Sequence, residues 1–252
     1  MGGLTLGVFA VILLGASATL ITKFGPPAIF EVFAAVTAVA AAIATFFFPS
    51  ASISEDLVRD AAGFTRPVWF IITGIVLMSL VQAMIFSFLQ PMGTDRGLSP
   101  VQIQSVLVTL GLVAMTPTLL AAFLQKRLPP MRVAMTGTLL QGAVAVLISC
   151  SSGFLPYAVG AVVFPFIMLF THTFVFGHLA RLDLTGRAVA ATPAMLVGNM
   201  IGPLLGGTLV QTTGYLGLGS AAAAVDLIAL CCFIAASQRA TSAIQPLPQL
   251  NQ

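Results

Sequence analysis

Long apolar runs without charge constrain this chain more than any other feature. A helix that crosses a hydrocarbon core of about 30 Å needs about 20 mostly apolar residues. Charged residues make up only 7% of the chain, against about 25% in soluble domains, so a water-soluble fold could not cover its surface. The runs are continuous, which favours helices over the alternating strands of a barrel. We therefore expect an all-α membrane protein with eight transmembrane helices, at about 4–22, 27–48, 68–90, 101–125, 132–150, 155–177, 190–211 and 215–237.

The basic residues are distributed unequally between the two predicted sides of the membrane. Lys23 and Arg96 fall on one side, and the other eight of the ten Lys and Arg fall in the 49–67, 126–132 and 178–189 loops and the tail. Because cytoplasmic loops collect Lys and Arg, both termini are predicted to be cytoplasmic, in a multi-pass protein of a plasma membrane or bacterial inner membrane. Topology thus explains the net charge of +3, and no nucleic-acid partner is expected.

A short internal repeat relates the first predicted helix pair to the last. Residues 19–25 (TLITKFG) align with residues 208–214 (TLVQTTG), and each segment covers the outer end of a helix and the turn into the next. Internal repeats are typical of secondary transporters. If the two pairs are equivalent, the last six helices form a complete unit, and the first two are the last third of an earlier unit.

The predicted seventh helix carries a glycine-rich motif. Gly198, Gly202 and Gly206 are spaced four apart on one helix face, where a neighbouring backbone can approach closely in lipid. Pro203 removes one helical hydrogen bond and favours a kink, and Gly207 follows it in the same motif. The motif predicts a close, bendable contact between two helices. A tight contact without a moving role explains the same residues.

The motif and the helix order resemble the major facilitator superfamily of secondary transporters. The motif is similar to one in the fifth helix of the family's drug and proton antiporters. The resemblance implies two six-helix bundles joined by a cytoplasmic loop, with this chain matching helices five to twelve. It therefore implies an incomplete N-terminal bundle at 1–49, a central loop at 50–67, a six-helix C-terminal bundle at 68–237 and a cytoplasmic tail at 238–252. The 122–132 loop lacks the glycine and aspartate of the family's loop signature.

Two ionisable side chains inside the predicted spans are candidates for proton coupling. Asp226 falls near the middle of the last span, and His172 falls about one turn from the cytoplasmic end of the sixth. Such groups are costly in lipid, and histidine exchanges protons near neutral pH. Gln141 and Asn199 lie at a depth from which either could hydrogen-bond Asp226. A structural carboxyl that is partnered or protonated, and an interfacial histidine, are the alternatives.

A polar and aromatic face on the predicted third helix is a candidate substrate pathway. Met78, Gln82 and Phe86 are spaced four apart, so they share one helix face. By the resemblance this helix lines a central cavity, and Gln104 and Asn199 could face the same space. Such a lining suits a small apolar or amphipathic compound. Ordinary packing between helices explains the same residues.

These observations predict secondary active transport, with proton-coupled export implied by the resemblance. The alternative is a truncated or degenerate half-transporter without transport activity of its own, because alternating access needs two bundles. An enzyme is not expected, since no Ser or Cys nucleophile has a suitably spaced histidine. We expect no cofactor and no metal site, because His172 and His178 point to different helix faces and the three cysteines are too few.

Cysteine labelling in intact cells checks the predicted topology. A single cysteine in the Gly93 to Ser99 loop is expected to react with a membrane-impermeant reagent, because that loop carries few basic residues and is placed outside. A cysteine in the 126–132 loop is expected to stay unlabelled. The opposite pattern would reverse the orientation.

Overall fold

The computed structural model describes residues 16, 19–47, 64–183, 187–190 and 192–242. The chain divides into two compact units, residues 1–63 and 64–252. All regular structure in the described ranges is helical, with no strand among them. The helices are α1 (Pro27–Phe47), α2 (Arg66–Phe86), α3 (Leu89–Asp95), α4 (Pro100–Val113), α5 (Thr116–Leu124), α6 (Pro130–Cys150), α7 (Phe154–Leu182), α8 (Arg187–Ala190) and α9 (Met195–Ser242), with a 3₁₀ turn at Thr192–Ala194.

Six helices of the described part are long and apolar enough to cross a membrane, as expected for an integral membrane protein. They span Pro27–Phe46, Arg66–Asp95, Pro100–Leu124, Pro130–Cys150, Phe154–Leu182 and Met195–Gln238. The predicted count of eight is not confirmed. The first predicted span, 4–22, lies mostly outside the described residues, and the last two predicted spans, 190–211 and 215–237, fall largely within α9.

The described part of the first unit consists of α1 and the short helical stretch 19–24 that precedes it. Gly25 has φ +82, a left-handed conformation that glycine adopts without steric cost, and it turns the chain into α1. Most described side chains of α1 are exposed, including Phe30 and Phe46. An apolar, exposed surface of this kind suits contact with lipid. Most of the predicted central loop and of the tail lies outside the described residues.

Helix α9 reverses direction at Gly214, which has the non-helical conformation φ 70, ψ −169. Gly198 lies beside Leu80 of α2, and the ring of Phe233 lies beside Gly74, one to two turns away on the same helix. In one straight helix Gly198 and Phe233 would be about 50 Å apart, so the chain must fold back between them. The second unit therefore contains two antiparallel arms of α9, residues 195–213 and 215–242, which both pack on α2.

The gap between the predicted spans 68–90 and 101–125 is shorter than the sequence indicated. Residues Leu89–Asp95 form α3, and Pro91 lies in the first turn of this helix, where a proline costs no helical hydrogen bond. The chain turns at Gly97, whose φ is +74. Ser99 then starts α4 with a capping box: its hydroxyl accepts from the Gln102 amide N–H, and its own N–H donates to the Gln102 side chain.

Two large clusters of buried apolar side chains fill the second unit, one toward each end of α2, and a third, small cluster of Ala121, Val133 and Phe174 joins α5, α6 and α7. The first is built around the later residues of α2 and α3 and the early part of α7, and it includes Met84, Leu89, Tyr157, Phe164 and Leu218. The second is built around the start of α2 and the later part of α7, and it includes Ile71, Ile75, Val175, Leu179 and Phe233. Since lipid is as apolar as these side chains, close packing is a main source of the stability of such clusters.

The glycine face of α9 packs directly against α2. Gly198, Gly202 and Gly206 are buried, whereas Pro203 is exposed and Gly207 is half-buried. A methyl group on Gly202 would come within 2.6 Å of the Ala83 methyl and 2.8 Å of the Leu80 carbonyl oxygen. The two helices therefore approach more closely than any side chain at this position would allow.

We predict that Gly202→Ala destabilises the protein by about 1–3 kcal/mol, because the added methyl overpacks the contact between α9 and α2. Thermal unfolding in detergent measures the effect. Gly207→Ala is the matched control: its methyl would meet only the Phe88 ring, at 3.7 Å, an ordinary contact. The control is expected to unfold at or above the temperature of the unmodified protein, since alanine favours helix over glycine. Equal loss of stability in both variants would contradict the packing role.

Candidate functional site

A layer of buried polar side chains separates the two apolar clusters of the second unit. The polar side chains lie on α2, α6, α7 and α9. In each of these helices, residues of one apolar cluster precede the polar side chains and residues of the other cluster follow them. On α9, for example, Asp226 lies between Ala222 of the first cluster and Ala229 of the second. We call this group the polar layer, and it consists of Ser79 on α2, Thr138 and Gln141 on α6, Thr171 and His172 on α7, and Asp226 on α9.

His172 is the best-connected ionisable side chain of the polar layer. Its Nδ1 lies 2.9 Å from the Met168 carbonyl oxygen, which can only accept, so Nδ1 carries a proton. Its Nε2 lies 3.4 Å from the Ser79 hydroxyl, a long contact in which the neutral imidazole accepts and Ser79 donates. The ring also packs edge-on against Phe176 at 5.4 Å. His172 is thus held between its own helix and α2.

The structure corrects the expected distance of His172 from the end of its helix. The sequence suggested a place about one turn from a helix end near residue 177. Helix α7 continues to Leu182, so His172 is followed by ten more helical residues, about 15 Å of helix. Only 5% of its surface is exposed. His172 therefore lies in the interior of the second unit, away from the end of its helix.

Asp226 is also in the interior, but its carboxyl group has no hydrogen-bond partner among the described residues. It is 2% exposed, and both carboxyl oxygens are buried. It faces Gly142 of α6, where a methyl group would lie 3.3 Å from the Asp226 Cβ. The hydrogen bond that Gln141 could have donated to Asp226 is not formed among the described residues, because the Gln141 amide donates to the Met78 carbonyl oxygen at 2.9 Å. The expected bond from Asn199 is likewise absent, and Asn199 is half-buried on α9.

The residues proposed for a substrate pathway contact different helices and differ in burial. Met78 is 1% exposed and joins α2 to α6, since its sulfur accepts from the Thr138 hydroxyl at 3.3 Å. Phe86 packs against Phe164 of α7, with ring centroids 6.4 Å apart. Packing between helices therefore accounts for Met78 and Phe86.

The polar members of that set are each half-buried. Gln82 of α2 has a buried side-chain oxygen without a hydrogen-bond partner among the described residues. Gln104 lies on α4, which packs chiefly on α7, whereas Asn199 lies on the arm of α9 that packs on α2. Gln82 is thus the pathway candidate whose polar group has unused hydrogen-bonding capacity.

Three members of the polar layer were missed by the sequence analysis: Ser79, Thr138 and Thr171. Small hydroxyl residues are common in membrane helices and often bond to their own backbone, as Thr138 does with the Ala134 carbonyl oxygen. One signal could have found Thr138, because it shares a helix face with Gln141 three residues later. The pairing of Ser79 with His172 joins residues far apart in the chain and has no local signal.

Arg96, which was interpreted only as a marker of topology, has a structural role at the end of α6. Its guanidinium donates to the carbonyl oxygens of Ile148 and Ser149 at 2.7 and 2.9 Å, and it lies over the Tyr157 ring. These carbonyls belong to the last turn of α6, which has no intrahelical partners. Burial lowers the pKa of Arg96 from its ordinary value, but arginine stays protonated at neutral pH.

No group of three or more His, Cys, Asp and Glu side chains in the described part of the chain could hold a metal ion. The described cysteines Cys150, Cys231 and Cys232 are free. Within the polar layer, His172 and Asp226 are side chains that can exchange protons. No family model matches the chain, and no curated protein matches it.

A double-mutant cycle tests the contact between α2 and α7 in the polar layer. Ser79→Ala and His172→Leu are expected to show a coupling energy of about 0.5–1.5 kcal/mol in the free energy of unfolding, because they remove the two ends of one buried hydrogen bond. Ser79→Ala with Thr173→Val is the control pair, since the Thr173 hydroxyl bonds within its own helix to Leu169. The control pair is expected to be additive within about 0.5 kcal/mol. An additive Ser79 and His172 pair would rule out the contact.

Proposed function

We propose that the chain is a secondary active transporter that exports a small apolar or amphipathic compound in exchange for protons. The observation that carries the proposal is the polar layer, in which Asp226 and His172 lie buried in the middle of a helical unit. An ionisable group near the bilayer centre costs about 2.5–3.5 kcal/mol on insertion scales, so such positions indicate function by default. A unit that served only as a membrane anchor would be more stable with apolar residues there.

The absence of partners on Asp226 supports a role in proton exchange. A carboxyl group that is held permanently by an arginine or by several donors is fixed in its charged state. Asp226 has no such partner among the described residues, so its proton is not committed to a neighbouring side chain. His172, in contrast, has an Nε2 that accepts only a long bond from Ser79. Both groups can therefore gain and lose a proton without breaking a strong contact.

The proposed architecture is that of the major facilitator superfamily, with eight spans and with residues 68–237 as the six-helix C-terminal bundle. This assignment rests on the glycine motif, the short repeat and the helix order. The reversal of α9 at Gly214 supports it, because it divides the 48-residue helix into two arms and so adds a span. Close glycine contacts between α9 and α2 are of the type that allows helices to move against each other during alternating access.

The proposed substrate class follows from the apolar composition of the spans. The buried surface of the second unit is apolar and aromatic, and fixed charges are rare in the spans, so a strongly charged solute would find few partners. An apolar or amphipathic compound can instead enter from the lipid phase. The two hypotheses differ in one respect: a transporter moves its substrate when this chain is present alone, and a half-transporter without activity does not.

Transport in vesicles tests the coupling residues. We predict that Asp226→Asn lowers pH-gradient-driven efflux of fluorescent amphipathic dyes from proteoliposomes at least about tenfold, because the amide keeps the size of the carboxyl group but cannot exchange a proton. His172→Gln is expected to have a similar effect. Downhill movement of the dye without a pH gradient should persist in both variants.

Asp95→Asn is the matched control for this experiment. Asp95 is an exposed acid outside the polar layer, where it accepts from the Tyr215 hydroxyl, so its replacement should leave the response to the pH gradient intact. If Asp226→Asn and His172→Gln both transport as the unmodified protein does, the polar layer does not couple protons. If no dye tested moves through the unmodified protein either, the half-transporter without activity is favoured.

A further inference from the structure

A groove opens on the side of the second unit between α5 and α6. Both helices pack on α7, which forms the floor of the groove, and α5 and α6 meet each other chiefly at the small cluster of Ala121, Val133 and Phe174. The groove has a volume of about 510 Å³, within the range of about 300–1,000 Å³ that is usual for small-molecule sites. It contains none of the coupling or pathway residues, although Thr171 of the polar layer lines its floor.

The lining of this groove is apolar along most of its length. Leu120 of α5 and Leu140 of α6 line it and are 41% and 55% exposed. Phe166 and Phe170 of α7 are stacked with ring centroids 6.0 Å apart. The exposure of both walls shows that the groove is open to the lipid side of the second unit.

One end of the groove is positively charged. Arg132 lines it there, and the neighbouring turn between α5 and α6 carries Lys126 and Arg127, all three of them exposed. Arg132 forms no ion pair with any acidic side chain of the described residues. It also lies in the first turn of α6, where the helix dipole disfavours a cation and favours an anion. Helix stability therefore does not explain this arginine, and an anionic ligand would.

We propose that the groove binds one acyl chain of an anionic phospholipid, with Arg132 holding the phosphate. Arg132, Thr136 and Leu140 are spaced four apart and all line the groove, so it follows one face of α6 for about 12 Å from the charged end. A soluble anion could pair with Arg132 but would not fill the apolar groove. A neutral lipid could fill the groove but would not pair with Arg132. An anionic lipid matches both.

The predicted topology agrees with this occupant. The 126–132 loop is on the predicted cytoplasmic side, where the leaflet carries anionic lipids and where basic pockets between membrane helices bind their head groups. Each basic residue near such a surface contributes about 1 kcal/mol, which corresponds to about a fivefold change in affinity.

Native mass spectrometry of the full chain in nonionic detergent tests the proposal. Phosphatidylglycerol is expected to bind with a stoichiometry of one and at least about fivefold more tightly than phosphatidylcholine with the same acyl chains. Arg132→Gln should remove that preference. Leu140→Trp should weaken binding of both lipids, because the indole fills the groove from an exposed position and does not disturb the core.

Two control variants separate the groove from general lipid contact. Arg66→Gln removes another exposed basic residue of the same predicted side, and Leu139→Trp places an indole on the next residue of α6, which is 49% exposed and does not line the groove. Both should bind lipid as the unmodified protein does. Millimolar inorganic phosphate should not displace the bound lipid.

Three results would overturn the proposal. Equal binding of the two lipids would show that the anionic head group is not recognised. Unchanged lipid binding in Leu140→Trp would show that the lipid does not bind in the groove. Displacement of the lipid by inorganic phosphate would identify Arg132 as a site for a soluble anion instead. None of these measurements depends on transport activity, so the groove can fail while the proposed transport function stands.

Discussion

Contact between α2 and both arms of α9 is the constraint on which the second unit depends. The first arm approaches because Gly198, Gly202 and Gly206 carry no side chain, and the second arm returns to place Phe233 against Gly74. The arrangement requires the reversal at Gly214, which a residue with a side chain would adopt only with strain. The two arms of α9 cover part of the surface of α2, and α6 and α7 contact other faces of α2. The polar layer lies where these helices meet.

The polar layer shows how a membrane protein can retain a costly feature between two stable regions. Apolar clusters on either side hold the helices together, so the layer between them need not contribute to stability. Ser79, Gln141 and His172 have at least one hydrogen bond each between helices. The carboxyl group of Asp226 has none among the described residues. Residues that lower stability without a compensating contact are those for which a functional reason is expected.

The sequence predicted those parts of the fold that depend on a single residue type. Glycines in the sequence indicated the close contact at Gly202 and the turn at Gly214. The predicted end of a span at residue 90 was wrong, because α3 runs to Asp95 and a proline in the first turn of a helix leaves no bond unmade. The distance of His172 from the end of its helix was too short, since α7 continues to Leu182. The candidate site was only partly predictable: Asp226 stood out as an acid in an apolar run.

The groove and the polar layer share a wall, and this relates the two proposals physically. Thr171 lies on the floor of the groove and directly precedes His172, and Gly137 lies across from Thr171 on α6. An acyl chain in the groove would keep water away from that wall. Because proton exchange needs a path for water or a hydrogen-bonded chain, the polar layer would then be reached from within the bundle and not from its lipid-facing side.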